Sequence, residues 1–121
     1  MTSDHYTVDE PQFEYLNEIT GNNREIIDQI VTLFIAEAPK DLEKLLELCT
    51  EKNWEAAGKQ AHKLKSSVAN FGLLGLKELF FTIEHSGKQN TNTDQIPLWV
   101  QQAKTRMESV INDLSRRPNS L

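Results

Sequence analysis

His62 is the residue of this sequence whose type and setting could do chemistry, and it stands in the stretch WEAAGKQAHKLKSSVANFG at residues 54–72. A neutral imidazole is a nucleophile near pH 7 and can take a phosphoryl group directly onto a ring nitrogen. That reaction needs an unobstructed ring, positive charge for the phosphoryl oxygens, and a surface that a donor can cover. Trp54, Ala57, Ala61, Leu64, Val68 and Phe71 recur at the three- and four-residue steps of a helical apolar face. His62 lies one residue past Ala61, which turns it off that stripe toward solvent. Its same-side neighbours at i−4, i+3, i+4 and i+7 are Gly58, Lys65, Ser66 and Ala69. Gly58, Ser66 and Ala69 are too small to cover an imidazole, so they are expected to give clearance. Lys59, Lys63 and Lys65 offer charge, with Lys65 closest to the same face, and Ser66 can donate a hydrogen bond to a phosphoryl oxygen.

Other chemistries find little here. The remaining histidines, His5 and His85, stand in other elements, and there is no HExxH motif and no pair of Glu-x-x-His motifs. Glu55 is seven residues from His62, which is not ligand spacing. Cys49 is the single cysteine, so an internal disulfide and a cysteine-based metal cluster are both excluded, and its helical apolar pattern suits a buried thiol. No serine or cysteine stands in a nucleophile elbow. Thirteen Lys and Arg against eighteen Asp and Glu give a net charge of −5, a poor match to nucleic acid, which needs a concentrated basic surface. No apolar run approaches the length of about 20 residues that a membrane span needs, and the opening lacks a signal peptide's basic and apolar regions. Cytoplasmic residence is the default expectation.

The elements that must position His62 read as helices. At 121 residues the chain suits one domain with one substantial core. Residues 1–9 are expected to be a flexible N-terminus, residues 10–117 the folded domain and residues 118–121 a tail. Asp9 can cap a short helix starting at Glu10 or Pro11, with Phe13, Leu16 and Ile19 on its apolar side and Gly21 at its end. Asn22 or Asn23 can cap the next, whose Ile26, Ile27, Ile30, Val31, Phe34 and Ile35 form a wide face. Pro39 should kink or break it, after which Leu42, Leu45, Leu46 and Cys49 carry the face onward. Asn53 is a candidate cap for the histidine helix, and Phe71 and Gly72 mark its end or a tight join to the next. Leu73, Leu76, Leu79, Phe80 and Ile83 restart the pattern through about His85, and residues 87–93, GKQNTNT, read as a polar loop. Thr93 or Asp94 can start the last helix, with Pro97 in its first turn and Pro118 stopping it. No stretch alternates like a strand. The expected fold is all-α: an antiparallel four-helix bundle with an additional short N-terminal helix acting as a lid.

The run His62-Lys63-Leu64-Lys65-Ser66-Ser67-Val68-Ala69-Asn70-Phe71-Gly72 resembles the signature of histidine-containing phosphotransfer (HPt) domains. There an H-x-L-K-[G/S] start is followed by small residues and a glycine ten positions after the histidine, the place held by Gly72. Ser66 stands where many members have glycine. The order of elements also resembles the family's arrangement over nearly the whole chain. The resemblance implies a phosphocarrier, relaying a phosphoryl group between His62 and the aspartate of receiver domains in response regulators and hybrid sensor histidine kinases. It implies Lys65 as phosphoryl stabiliser, Lys63 as a solvent-side contact and Gly72 as the residue that permits the close turn. Mg²⁺ would come from the receiver, so no cofactor is expected on this chain. The absence of a Gly-rich loop before a helix agrees with a relay that has no ATP-dependent kinase activity.

Taken singly, a surface histidine, a lysine-bearing helix face and a C-cap glycine are ordinary features. Their joint occurrence in this pattern favours phosphotransfer. The competing expectation is a non-catalytic helical adaptor that docks receivers without chemistry, against which the presence of both His62 and Lys65 argues. A monomer is expected, because symmetric pairing through the histidine face would occlude it. The initial methionine and complete outer helices modestly favour a free-standing protein over the end piece of a hybrid kinase.

Overall fold

A computed structural model describes residues 9–117 of the chain; residues 1–8 of the flexible segment expected at 1–9, the tail expected at 118–121, and His5 lie outside the described residues. Five helices follow in order: α1 (Glu14–Thr20), α2 (Arg24–Thr50), α3 (Trp54–Ala69), α4 (Leu74–Gln89) and α5 (Ile96–Ser115). Among the described residues there is no strand. Each of α2 to α5 packs on the next, α5 returns to α2, and α1 rests on α2, so four helices close a ring with one short helix outside it. The connections at 51–53, 70–73 and 90–95 are too short for anything but reversal, which makes neighbours antiparallel. The all-α expectation holds.

Local chemistry fixes the helix ends. The side chains of Asn23 and Asn53 accept hydrogen bonds from the amides of Ile26 (3.1 Å) and Ala56 (3.3 Å), each supplying an acceptor to a free first-turn donor. Gly21 closes α1 with φ of 63°, and Asn90 closes α4 with φ of 55°. Pro97 sits in the first turn of α5, where its missing N–H has no partner to lose.

The predicted apolar stripes converge on one core that runs from Leu16 through Leu45, Leu64, Phe80 and Met107 to Leu114. Phe71 is its keystone near the site. It meets Phe13 edge-on at 6.0 Å and Phe34 at 4.9 Å, and its carbonyl accepts the Gln12 amide at 2.7 Å. The N-terminal segment is thereby tied to the turn that follows the histidine helix.

Five expectations need correction. Asp9 does not cap α1, which begins at Glu14. Its carboxylate is drawn to α5, where Arg106 holds it through Nε and Nη2 at 2.7 Å each. Pro39 does not split α2, which runs unbroken from Arg24 to Thr50. Pro39 is exposed, and buried Phe34, Ala38, Leu42 and Leu45 hold the helix on both sides of it, so packing overrides the lost hydrogen bond. Ile19 and Ile26 face solvent, because the core-facing arc of each helix is narrower than the apolar run. The polar loop begins at Asn90 rather than Gly87, since α4 continues through Gln89. α5 begins at Ile96, after Thr93 and Asp94.

Leu64 is fully buried at the middle of α3. Leu64→Ala should lower the unfolding free energy by about 2–5 kcal/mol in urea titrations, as large-to-small core changes do. A loss below about 1 kcal/mol would mean that α3 is rotated from this orientation.

Candidate functional site

α3 presents His62 on its outer face, with the side chain 55% exposed, while Ala61 and Leu64 on either side of it are buried in the core. The ring is not bare. Its Nδ1 lies 2.8 Å from Oε2 of Glu84, a residue of α4 that is 94% buried (6% exposed). Lys88, one turn along α4, donates to the same oxygen at 2.8 Å. Lys65 Nζ lies 2.7 Å from Oε1, as a close charge contact rather than a well-directed hydrogen bond, so Oε1 has no directed donor among the described residues. Lys65 is mostly buried, and its ammonium also stands 5.2 Å above the ring of Phe81, itself stacked with His85.

Burial by itself would raise the Glu84 pKa. The contacts with Lys65, Lys88 and His62, together with the charge on Lys65, outweigh it and hold the carboxyl at about 2 instead of 4.5. Glu84 is therefore a carboxylate across the working range, and a carboxylate only accepts. His62 must then carry its proton on Nδ1 and donate it to Glu84. In the neutral ring this leaves the lone pair on Nε2, which has no hydrogen-bond partner among the described residues. The site consists of a half-exposed imidazole, a carboxylate that fixes its tautomer, and two ammonium groups held against that carboxylate.

The other expected residues divide. Lys63 is exposed, but its Nζ reaches α2 and pairs with the buried Asp41 at 3.0 Å. Lys59 is exposed and has no partner among the described residues. Ser66 and Ala69 line a cleft with Tyr15, Lys65, Asn70 and Lys77, beside His62 on the α1 side. Gly72 has φ of 63° in the α3–α4 turn, where a Cβ would lie 2.9 Å from that of Gln12, so both backbone sign and space demand glycine. Gly58 is a correction. It does not open the docking face, but is buried where α4 crosses α3, and a Cβ there would lie 2.9 Å from the Glu84 carbonyl.

Glu84 and Lys88 are the site residues that motif reading missed. A signal for Glu84 exists: it follows Leu76 and Phe80 at four-residue steps, a carboxylate on an apolar stripe. Cys49 is buried, which pushes its thiol pKa up, and it has no part here. Among the described residues no group of three or more His, Cys, Asp or Glu could hold a metal ion, and no helix is long and apolar enough to cross a membrane.

The depressed Glu84 pKa makes a prediction with a definite sign. The folded value lies below the ordinary one, so the stabilisation is complete above about pH 5 and is lost as pH falls toward 2. The gap corresponds to something on the order of 3 kcal/mol. Wild type should therefore exceed Glu84→Gln in stability at neutral pH, and urea titrations should show that margin shrinking between about pH 5 and 2. A margin that stays constant with pH would contradict the assignment.

Comparison with curated proteins and with solved structures gives no match. A protein-family model does match: the Hpt domain, over residues 29–116, which takes in most of α2 and all of α3, α4 and α5. Domains of this kind carry out histidine phosphotransfer in two-component signalling. With His62 on the outer face of a four-helix bundle and that match spanning well over half of its length, the chain belongs to the Hpt domain family.

Proposed function

We propose that this chain relays a phosphoryl group between His62 and the phosphorylated aspartate of receiver domains in response regulators and hybrid sensor kinases. The Nδ1–H···Glu84 contact at 2.8 Å carries the reading, because it leaves Nε2 as the available lone pair. Nε2 attacks the phosphorus of the aspartyl phosphate, the P–O bond to the receiver breaks, and the aspartate leaves as a carboxylate. The ring keeps its Nδ1 proton during attack and becomes cationic. Glu84 faces that charge as it develops, which is where a fixed carboxylate lowers the barrier. The reverse transfer uses the same contacts. Mg²⁺ bound by the receiver would neutralise phosphoryl charge on that side, and no ligand to it is assigned to this chain.

Lys65 and Lys88 balance the phosphoryl oxygens from this side. Both ammonium groups already sit beside Glu84, so they reach an incoming group on Nε2 by sharing it with the carboxylate. Ser66 offers a hydroxyl on the adjoining turn, and Lys59, which has no partner among the described residues, offers a charge to the receiver's acidic pocket. Tyr15 stands across the cleft from Lys65 and Ser66, and exposed Leu33 flanks the groove beside Lys63 and Ser67. These apolar groups border the α3 face and suit a docked receiver. The chain acts as a monomer in the cytoplasm, since pairing through the His62 face would close it to the donor.

Protein mixed with a labelled phosphorylated receiver and Mg²⁺ should acquire label that is stable in base and labile in acid, as a phosphoramidate is. ATP alone should give none. His62→Gln should abolish labelling, at a stability cost below about 1.5 kcal/mol, while receiver binding persists. Lys65→Ala should slow transfer by up to about 100-fold without abolishing it. Label on His85, label that persists in the His62 variant, or binding without transfer across a broad receiver panel would defeat the proposal.

A further inference from the structure

α3 and α4 form the most extensive helix pair of the bundle, and at one point they meet backbone to backbone. A Cβ on Gly87 would lie 2.5 Å from the Trp54 carbonyl oxygen and 3.0 Å from both Cα and N of Gly58. A Cβ on Gly58 would lie 2.9 Å from the Glu84 carbonyl oxygen and 3.2 Å from the Lys88 amide. Neither position has room for a methyl group, and most of the opposing atoms are main chain, which cannot swing aside. Neither glycine has the positive φ that would demand one, because both lie within helices, where glycine costs about 1 kcal/mol relative to alanine. Their gain is proximity.

The point of contact sits one turn from the chemistry on both helices. Gly58 precedes His62 by four residues, and Gly87 follows Glu84 by three. A glutamate side chain has two methylenes with which to span the gap, and it makes the Nδ1 contact at 2.8 Å. A helix displaced by the size of a methyl group would leave it short. We infer that Gly58 and Gly87 are positioning residues for phosphotransfer: their contact sets the α3–α4 separation at which Glu84 fixes the His62 tautomer and Lys88 flanks the ring. The inference rests on the reading of His62 as the phosphoryl acceptor, while its geometric half can be read without any transfer.

The test uses the full chain, labelled with ¹⁵N, in two-bond ¹⁵N–¹H correlation spectra that distinguish the two neutral imidazole tautomers. The His62 signal is assigned with His62→Gln. Wild type should show the Nδ1–H form. Gly58→Ala and Gly87→Ala should move His62 toward the Nε2–H form, as Glu84→Ala, which removes the acceptor altogether, also should, and they should slow transfer from a phosphorylated receiver by up to about 100-fold. A merely structural role for the glycines would lower urea midpoints without moving the tautomer. Glu84→Asp keeps both glycines and shortens the carboxylate by one methylene, so it decides the matter if the alanine variants do not fold. It should lose the Nδ1–H form as well. Folded alanine variants with the wild-type tautomer and rate, or an aspartate variant that keeps the Nδ1–H form, would overturn the inference. Tautomer shifts as stated in a protein that no receiver phosphorylates would uphold the positioning and defeat the phosphotransfer reading instead.

Discussion

A single buried carboxylate ties the histidine of this domain to its lysines. Glu84 lies under the outer layer of the bundle with two ammonium groups and one imidazole against its oxygens. Removing a carboxylate from water is costly, and it is tolerated here because each oxygen faces a cation or a donor. Lys65 and Lys88 are in turn held within reach of the ring rather than spread into solvent. On the proposed reading, the arrival of a phosphoryl group gives those two cations a second anion to serve. The site is then a set of charges in place before the substrate, which reduces the reorganisation needed at the moment of transfer.

The rest of the bundle keeps this cluster in register. Ala61 and Leu64 fix the rotation of α3, since burying them turns His62 outward. α4 presents Glu84 and Lys88 on the arc that faces α3, and the glycine contact lets it come close enough. Beyond the site, Phe71 and Gly72 join the α3–α4 turn to the N-terminal segment, which Asp9 anchors on Arg106 of α5. The first helix therefore stands beside the histidine face with Tyr15 across the cleft from Ser66. A sequence segment far from His62 in the chain thus shapes the surface a partner would meet.

Much of this was legible in the residues. The period of Ala57, Ala61, Leu64 and Val68 gives the burial of α3 and hence the exposure of His62, because an amphipathic helix has one rotational answer. Asn23 and Asn53 advertise helix starts through their own side-chain chemistry. What stayed hidden was tertiary. Glu84 is 22 positions from His62, and nothing local states that α4 packs on α3 in the register that joins them. Gly58 reads as open space on a helical wheel, yet a second helix fills that space. Pro39 and Asp9 were read by local rules, a break and a cap, that packing and an ion pair override.

The central claim is that Glu84 leaves Nε2 as the reacting nitrogen, and it is tested most directly by locating the phosphoryl group on the ring. Paired ³¹P and ¹⁵N spectra of the phosphorylated, ¹⁵N-labelled protein would assign the P–N bond to one nitrogen. The bond should be at Nε2 of His62, with Nδ1 still protonated against Glu84. A phosphoryl group on Nδ1 would contradict the account, because that nitrogen could not then donate to the carboxylate.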